Sequence, residues 1–192
     1  TLASLNKKVV LLDTDLRRSS IIGRFRLRFG SAKPCGLAQY LAGMCSIDDI
    51  IYQTSITNAY LIPIGREVSS SLQLLSSDKM LSLMDRLATE YDVVLIDTPP
   101  AGVIVDALEI AKYCDGALIV VSYNRGRKQE IGDLKKTIER TGCKVLGAVL
   151  NNVDFDAYSN RKYYYKSERY SSYYNDRYYA RDNDADRKKK RR

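Results

Sequence analysis

A layered α/β fold, in which helices flank a mostly parallel sheet, is predicted by two observations. Short aliphatic runs rich in β-branched residues (KVVLLD, DVVLID, GALIVV and KVLGAVL) recur between residues 8 and 150. Continuous apolar runs of that length are what strands buried on both faces require. Longer amphipathic stretches separate the runs and supply the crossover helices that parallel strands need. In such sheets, ligands bind beyond the carboxyl ends of the strands.

Taken in order, Lys8–Asp13 reads as a buried strand, and Gly36–Gly43 (GLAQYLAG) and Ile47–Tyr52 as short helices. Ala59–Ile64 is a strand and Leu72–Glu90 one long amphipathic helix. Asp92–Asp97 is a second buried strand, followed by a helix around Val105–Cys114. Gly116–Val121 is a third buried strand, Lys128–Thr141 a helix and Lys144–Leu150 a fourth strand. After Val153 the periodicity stops. Residues 1–154 therefore form one domain, and residues 155–192, with few aliphatics and mixed charge, are expected to be disordered.

Charge follows the same division. The net +8 is concentrated in the tail, where twelve basic residues face six acidic ones from Phe155 onward. A basic tail on a nearly neutral body suits an acidic partner such as phosphate, nucleic acid or an anionic membrane surface. The chain has no histidine, which excludes imidazole bases, and its four cysteines form no CxxC pair, which disfavours a zinc cage. Cys114 and Cys143 lie beside apolar runs and read as buried, reduced thiols, pointing to the cytosol. The longest apolar runs, such as Val9–Leu12 and Ala117–Val121, are far too short to cross a bilayer.

Two strands finish in aspartate: Asp13-Thr14-Asp15 follows KVVLL, with Arg17-Arg18 just beyond, and Asp97-Thr98-Pro99-Pro100 follows VVLI. One such aspartate would merely cap a turn. Two of them, entering the crevice of one sheet, offer hard oxygen ligands to Mg²⁺, which keeps several waters and meets phosphate oxygens. Nine of the fifteen tyrosines also fall within 22 residues, Tyr158 to Tyr179, interleaved with polar residues at neither strand nor helix spacing. They define no buried face and read as a row of phosphate acceptors.

These motifs resemble the cytoplasmic catalytic domain of the bacterial tyrosine kinases (BY-kinases) tied to capsular and exopolysaccharide synthesis. That family is built on a P-loop fold similar to the MinD and ParA ATPases. VVLLDTDLRRS (Val9–Ser19) matches its Walker A′ motif and VVLIDTPP (Val93–Pro100) its Walker B. GVIVDALEIAKYCDGALIVV (Gly102–Val121), GLAQYLAG and GAVLNNVD (Gly147–Asp154) also fit, and the tyrosine cluster is the family's signature. Ser70-Ser71-Leu72-Gln73-Leu74-Leu75 stands where relatives often carry NPxELL, and loss of that proline is expected to loosen the helix start.

The resemblance implies an ATP- and Mg²⁺-dependent protein-tyrosine kinase. Asp13 would help hold the metal and act as base for the incoming phenol, with Asp15 facing the same site. Asp97 would bind Mg²⁺ through water, and Asn151 with Asp154 would read the adenine. Tyr163, Tyr164, Tyr165, Tyr170, Tyr173, Tyr174, Tyr178 and Tyr179 would accept phosphate. Implied partners are further copies of the chain in a ring, each tail entering its neighbour, a membrane activator or chain-length-determinant protein, fused or separate, and a phosphotyrosine phosphatase. No specific nucleic acid is implied, and the expected location is the cytoplasmic face of the plasma membrane. Each phosphotyrosine adds about −1.5 to −2, so roughly three or four would cancel the tail's charge and loosen the assembly.

No G-x-x-x-x-G-K-[ST] occurs, and residues 1–7 look like the end of a helix that would follow such a loop. An upstream segment is therefore expected to supply the phosphate-binding amides, lysine and hydroxyl. Its strand is expected between those of Asp13 and Asp97, which predicts a gap there, low stability and no tight ATP binding. Two other readings stay open: a MinD- or ParA-type positioning ATPase, and a nucleic-acid binder using Tyr and Arg of the tail.

Overall fold

The computed structural model describes residues 1–18, 21, 35–68, 70–101, 105–123, 125 and 127–153. The backbone divides into two compact units, residues 1–119 with 127–148, and residues 120–126 with 149–192.

In the first unit, β1 (Val9–Asp13) is the centre of a four-stranded sheet ordered β2-β3-β1-β4. Here β2 is Tyr52–Gln53, β3 is Ala59–Ile62 and β4 is Val93–Asp97. β1 pairs in parallel with β3 and β4, while the two-residue β2 runs antiparallel along β3. The mostly parallel α/β fold is as expected. Val10 and Leu12 are fully buried, and Val94 and Ile96 pack against the same core. Each such aliphatic contributes about 1.5–3 kcal/mol relative to exposure.

Three expectations need correction. The stretch Ile47–Tyr52 forms a 3₁₀ turn over Asp48–Ile50 and then enters β2, because the backbone is already extended at Ile51 and leaves room for a single turn. The predicted long helix is two, α2 (Ser71–Leu75) and α3 (Asp78–Glu90). Ser77 ends one and caps the other: its hydroxyl donates to Leu74 O and accepts from Met80 N. In α3, Met80, Leu83, Met84 and Leu87 recur at helical spacing and are buried on one face.

The third correction concerns the sheet. No gap separates the Asp13 and Asp97 strands; they are neighbours, paired from Val9↔Val93 to Asp13↔Asp97. Two apolar runs of equal length, each closed by an aspartate, register directly. The break among the described residues falls elsewhere, since β5 (Gly116–Ser122) and β6 (Lys144–Asn151) form a separate two-stranded sheet. These two were expected to be buried, yet Leu118, Val120, Leu146, Val149 and Leu150 are exposed while Ile119 is buried. Leu118, Ile119 and Val120 alternate as in a strand covered on one face, whereas consecutive Val149 and Leu150 are both exposed, so the end of β6 is open on both faces.

α1 (Leu37–Leu41) seats on the exit of β3, where Leu37 N and Ala38 N donate to Pro63 O and Ile64 O. A Cβ on Gly36 would come within 2.1 Å of Gly65 N and 2.5 Å of Ile64 C. Gly65 itself has φ +79°, and its N-terminal neighbour strand delivers it beside the Gln39 amide, which accepts from Gly36 N and Arg66 N. After α4 (Asp106–Ala111), Cys114 is half-buried and Cys143 buried, and all four cysteines are free thiols. No helix among the described residues is long and apolar enough to cross a membrane.

In the second unit, Tyr123 N donates to Asn151 O at 2.7 Å and Asn152 Nδ2 to Ser122 Oγ at 2.9 Å. These bonds join the carboxyl ends of β5 and β6, so the two strands run parallel.

Two tests follow from this packing. Gly36→Ala meets the backbone of Ile64 and Gly65 and should cost about 2–3 kcal/mol in urea unfolding, whereas Gly147→Ala, with open space around it, should be nearly neutral. Burial, then Cys143 and Asp115, raise the Cys114 thiol to about 11. The unfolded thiol ionises near pH 8.5, so the unfolded chain binds fewer protons above that pH. Stability from this group is full below about pH 8.5 and declines toward pH 11. Melting temperature should fall over that window, and less steeply in Cys114→Ala.

Candidate active site at the paired strand ends

The sequence that ends β1 folds back on its own carboxylates. Asp13 Oδ1 accepts from Asp15 N at 3.2 Å, and Asp15 Oδ1 from Arg18 N at 3.1 Å. Short acidic side chains favour such local turns. Thr14, fully buried, gives both its donors to one acceptor: its amide reaches Asp97 O at 2.9 Å and its hydroxyl the same oxygen at 2.6 Å. Leu16 O accepts from Val68 N at 2.9 Å, pinning the loop a second time.

At the opposite end of the same strand pair, Asp92 closes the ladder. Its amide donates to Lys8 O at 2.9 Å and its carboxylate accepts from Lys8 N at 2.8 Å. The Lys8 ammonium lies 4.5 Å from the centre of the Tyr91 ring, whose hydroxyl is pushed up by burial. The pair is thus held at both ends.

The result is that Asp13 and Asp97 are directly opposite each other on adjacent parallel strands. Partners in a parallel ladder project to the same face, about 4.8 Å apart between strands. Asp13 is fully buried and Asp97 exposed, so the pair spans the boundary between interior and solvent. Asp15 is half-buried on the connecting loop. Of the three sequence-selected carboxylates, Asp13 and Asp97 are brought together in register, and Asp15 follows two residues on with its carboxylate turned to Arg18 N. Asn151 lies in the second unit, exposed, with its side-chain oxygen accepting from Asn152 N at 2.9 Å. Asp154 and the tyrosines from Tyr158 to Tyr179 lie outside the described residues.

The pair fits magnesium. Among the described residues no three His, Cys, Asp or Glu side chains converge as a metal cage. Mg²⁺ needs none, being held typically by one or two carboxylates with waters and phosphate oxygens completing the shell.

Two residues escaped sequence reasoning. Asp106 and Ser71 are, with Asp13 and Thr14, the buried polar residues among those described. Asp106 Oδ2 accepts from Ser71 Oγ at 2.5 Å and from Arg17 Nε at 3.1 Å. The available signal was a charge directly after the apolar run VIV and before AL, in the stretch VIVDALEI. Ser71 also anchors the start of α2, where the missing proline had suggested a loose end.

Comparison with known proteins gives a consistent picture. The AAA domain family model matches residues 1–161. The tyrosine-protein kinase CpsD of Streptococcus agalactiae serotype III (strain NEM316) is 33% identical over 154 residues, covering 80% of this chain and 65% of that protein. The chain therefore spans a little under two thirds of the length of such curated relatives. The kinase domain of Escherichia coli tyrosine kinase ETK superposes with a TM-score of 0.74 at 28% identity, covering 81% of this chain and 60% of that one. The cell division ATPase MinD of Pyrococcus furiosus does so with a TM-score of 0.63 at 26% identity, covering 81% and 64%.

The latch between the strand ends is open to test. Thr14→Val removes the 2.6 Å bond to Asp97 O and keeps the amide bond. It should cost about 1–2 kcal/mol in urea unfolding, with unchanged circular dichroism.

Proposed function

The chain belongs to the AAA domain family, and we propose that it is the catalytic part of a bacterial protein-tyrosine kinase. In this reading it uses ATP to phosphorylate its own C-terminal tyrosine cluster and thereby regulates capsular or exopolysaccharide synthesis and export. The observation that carries the proposal is the in-register pair Asp13↔Asp97 at neighbouring strand ends. The kinase relatives support the choice of phenol as acceptor.

Asp13 and Asp97 would hold Mg²⁺, Asp97 through water, and Asp15 would face the same ion. Bound there, magnesium neutralises charge on a phosphoryl group in transfer. The chain's own residues do the rest. Asp13, walled from solvent and oriented by its bond from Asp15 N, accepts the proton of the incoming tyrosine hydroxyl. Thr14 keeps the loop against β4, so the base and the second carboxylate hold their separation. Asn151 and Asp154 are assigned to the adenine; the Asn151 amide nitrogen is the atom for that contact, since its oxygen serves Asn152.

The acceptors are Tyr163, Tyr164, Tyr165, Tyr170, Tyr173, Tyr174, Tyr178 and Tyr179, presented by a neighbouring copy in a ring. The boundary between catalytic domain and tail lies at residues 154 and 155. A membrane activator and a phosphotyrosine phosphatase complete the partners, which places the chain at the cytoplasmic face of the plasma membrane.

The test uses the full protein that carries this chain, incubated with Mg-ATP and probed for phosphotyrosine. Asp13→Asn should lower the signal by about 10²–10⁴-fold. Replacing the tyrosines from Tyr158 to Tyr179 with Phe should abolish it while ATP turnover continues. ATP hydrolysis with no phosphotyrosine in the wild-type protein would instead identify a MinD-type positioning ATPase.

A further inference from the structure

Asp106 is one of two fully buried carboxylates among the described residues, and the transfer chemistry above makes no use of it. Burying an ionised carboxylate costs several kcal/mol unless hydrogen bonds and a counter-charge offset it. Here both are present on one oxygen, Oδ2, which accepts from Ser71 Oγ and Arg17 Nε. The two partners are buried unequally: the Asp106 side chain is 2% exposed, and the Arg17 side chain, at 46%, keeps part of its surface open to solvent.

The grip is on Nε alone. Among the described residues, the two terminal amines of Arg17 have no partner. A guanidinium presents its donors as a planar fork matched to two oxygens of a carboxylate or phosphate. Holding it by Nε fixes the plane and leaves the outer donors for a ligand. The backbone beneath is equally fixed, because Thr14 is bonded to Asp97 O and Leu16 O to Val68 N. A side chain already fixed loses less rotamer freedom on binding, so it binds more tightly than a free arginine would. Arg17 stands two residues beyond Asp15 and four beyond Asp13, on the loop that carries the site's carboxylates.

We infer that Arg17, positioned by Asp106 and Ser71, is the receptor for a phosphoryl oxyanion at the carboxyl end of β1. The choice of phosphoryl over carboxylate rests on the kinase reading; the receptor itself does not. The oxyanion has two sources, the phosphate of a phosphorylated phenol or that of a nucleotide.

The test titrates the 192-residue chain with phenyl phosphate, ADP and, as control, acetate, following the Arg17 Nε–Hε signal by ¹⁵N–¹H NMR. The signal is assigned by its loss in Arg17→Lys. Phenyl phosphate or ADP should shift it saturably, with acetate much weaker, and whichever binds more tightly identifies the source. Arg17→Lys keeps the charge and loses the fork, and should weaken binding by about ten- to a hundredfold. Asp106→Asn should weaken binding while circular dichroism stays native; should it fail to fold, Ser71→Ala tests the same clamp with a smaller loss. Saturable phosphate binding that Arg17→Lys leaves unchanged would overturn the assignment, as would the absence of binding in the wild type. Acetate binding as tightly as phosphate would reduce it to a carboxylate site and overturn the kinase-derived choice alone.

Discussion

The register of two five-residue strands, VVLLD against VVLID, is the constraint on which the candidate site rests. It sets two carboxylates side by side on neighbouring strands, an arrangement that electrostatics opposes. Two ionised carboxylates on strands about 4.8 Å apart repel each other, the more so the less water lies between them. The apolar residues above them pull the other way: Val10 and Leu12 are fully buried, and Val94 and Ile96 lie against the same core. Thr14 at one end and Asp92 at the other then fix the ladder against slippage. A slip of one residue would send every side chain of the strand to the opposite face, which would remove Asp13 from the pair and expose the core. Hydrophobic burial therefore supplies the energy by which like charges are held together, and a bound cation would relieve the repulsion.

The direct pairing also changes how the sheet is understood. A strand between Asp13 and Asp97 would have put about 9–10 Å between them, two inter-strand spacings, and a single magnesium could not then bridge both. As neighbours they are one spacing apart. Among the described residues, β5 and β6 form a sheet of their own and carry exposed Leu118, Val120 and Leu146.

Much of this was legible in the residues, and what was missed has a common cause. The aliphatic runs and their terminal aspartates identified β1 and β4 and the carboxylates that close them. Those signals are local, set by composition and period. Strand order is not local, so the adjacency of β1 and β4 had to be seen. The same holds for Asp106, whose partners Ser71 and Arg17 are 35 and 89 residues away in sequence. The split of the long predicted helix was a local feature outweighed by a longer one. Helical spacing from Leu72 to Glu90 is continuous across Ser76 and Ser77, and only the capping hydroxyl of Ser77 reveals the break. The tyrosine cluster, the most conspicuous compositional signal, has no strand or helix spacing and lies outside the described residues.

The clamp on Arg17 bears on the carboxylates as much as on the anion it would receive. An arginine two residues from Asp15 and four from Asp13 would, if free, fold back and pair with one of them, occupying the oxygens a metal needs. Against an exposed carboxylate at 4 Å that attraction is about 1 kcal/mol in water, but near 4 kcal/mol at the effective dielectric constant of a partly buried pair. Asp106 has already been desolvated by the fold and oriented by Ser71, so it outcompetes the half-exposed Asp15 for the guanidinium. On the proposed reading, the buried charge of Asp106 holds Arg17 by Nε and so keeps the guanidinium from folding back on the loop that carries Asp13 and Asp15.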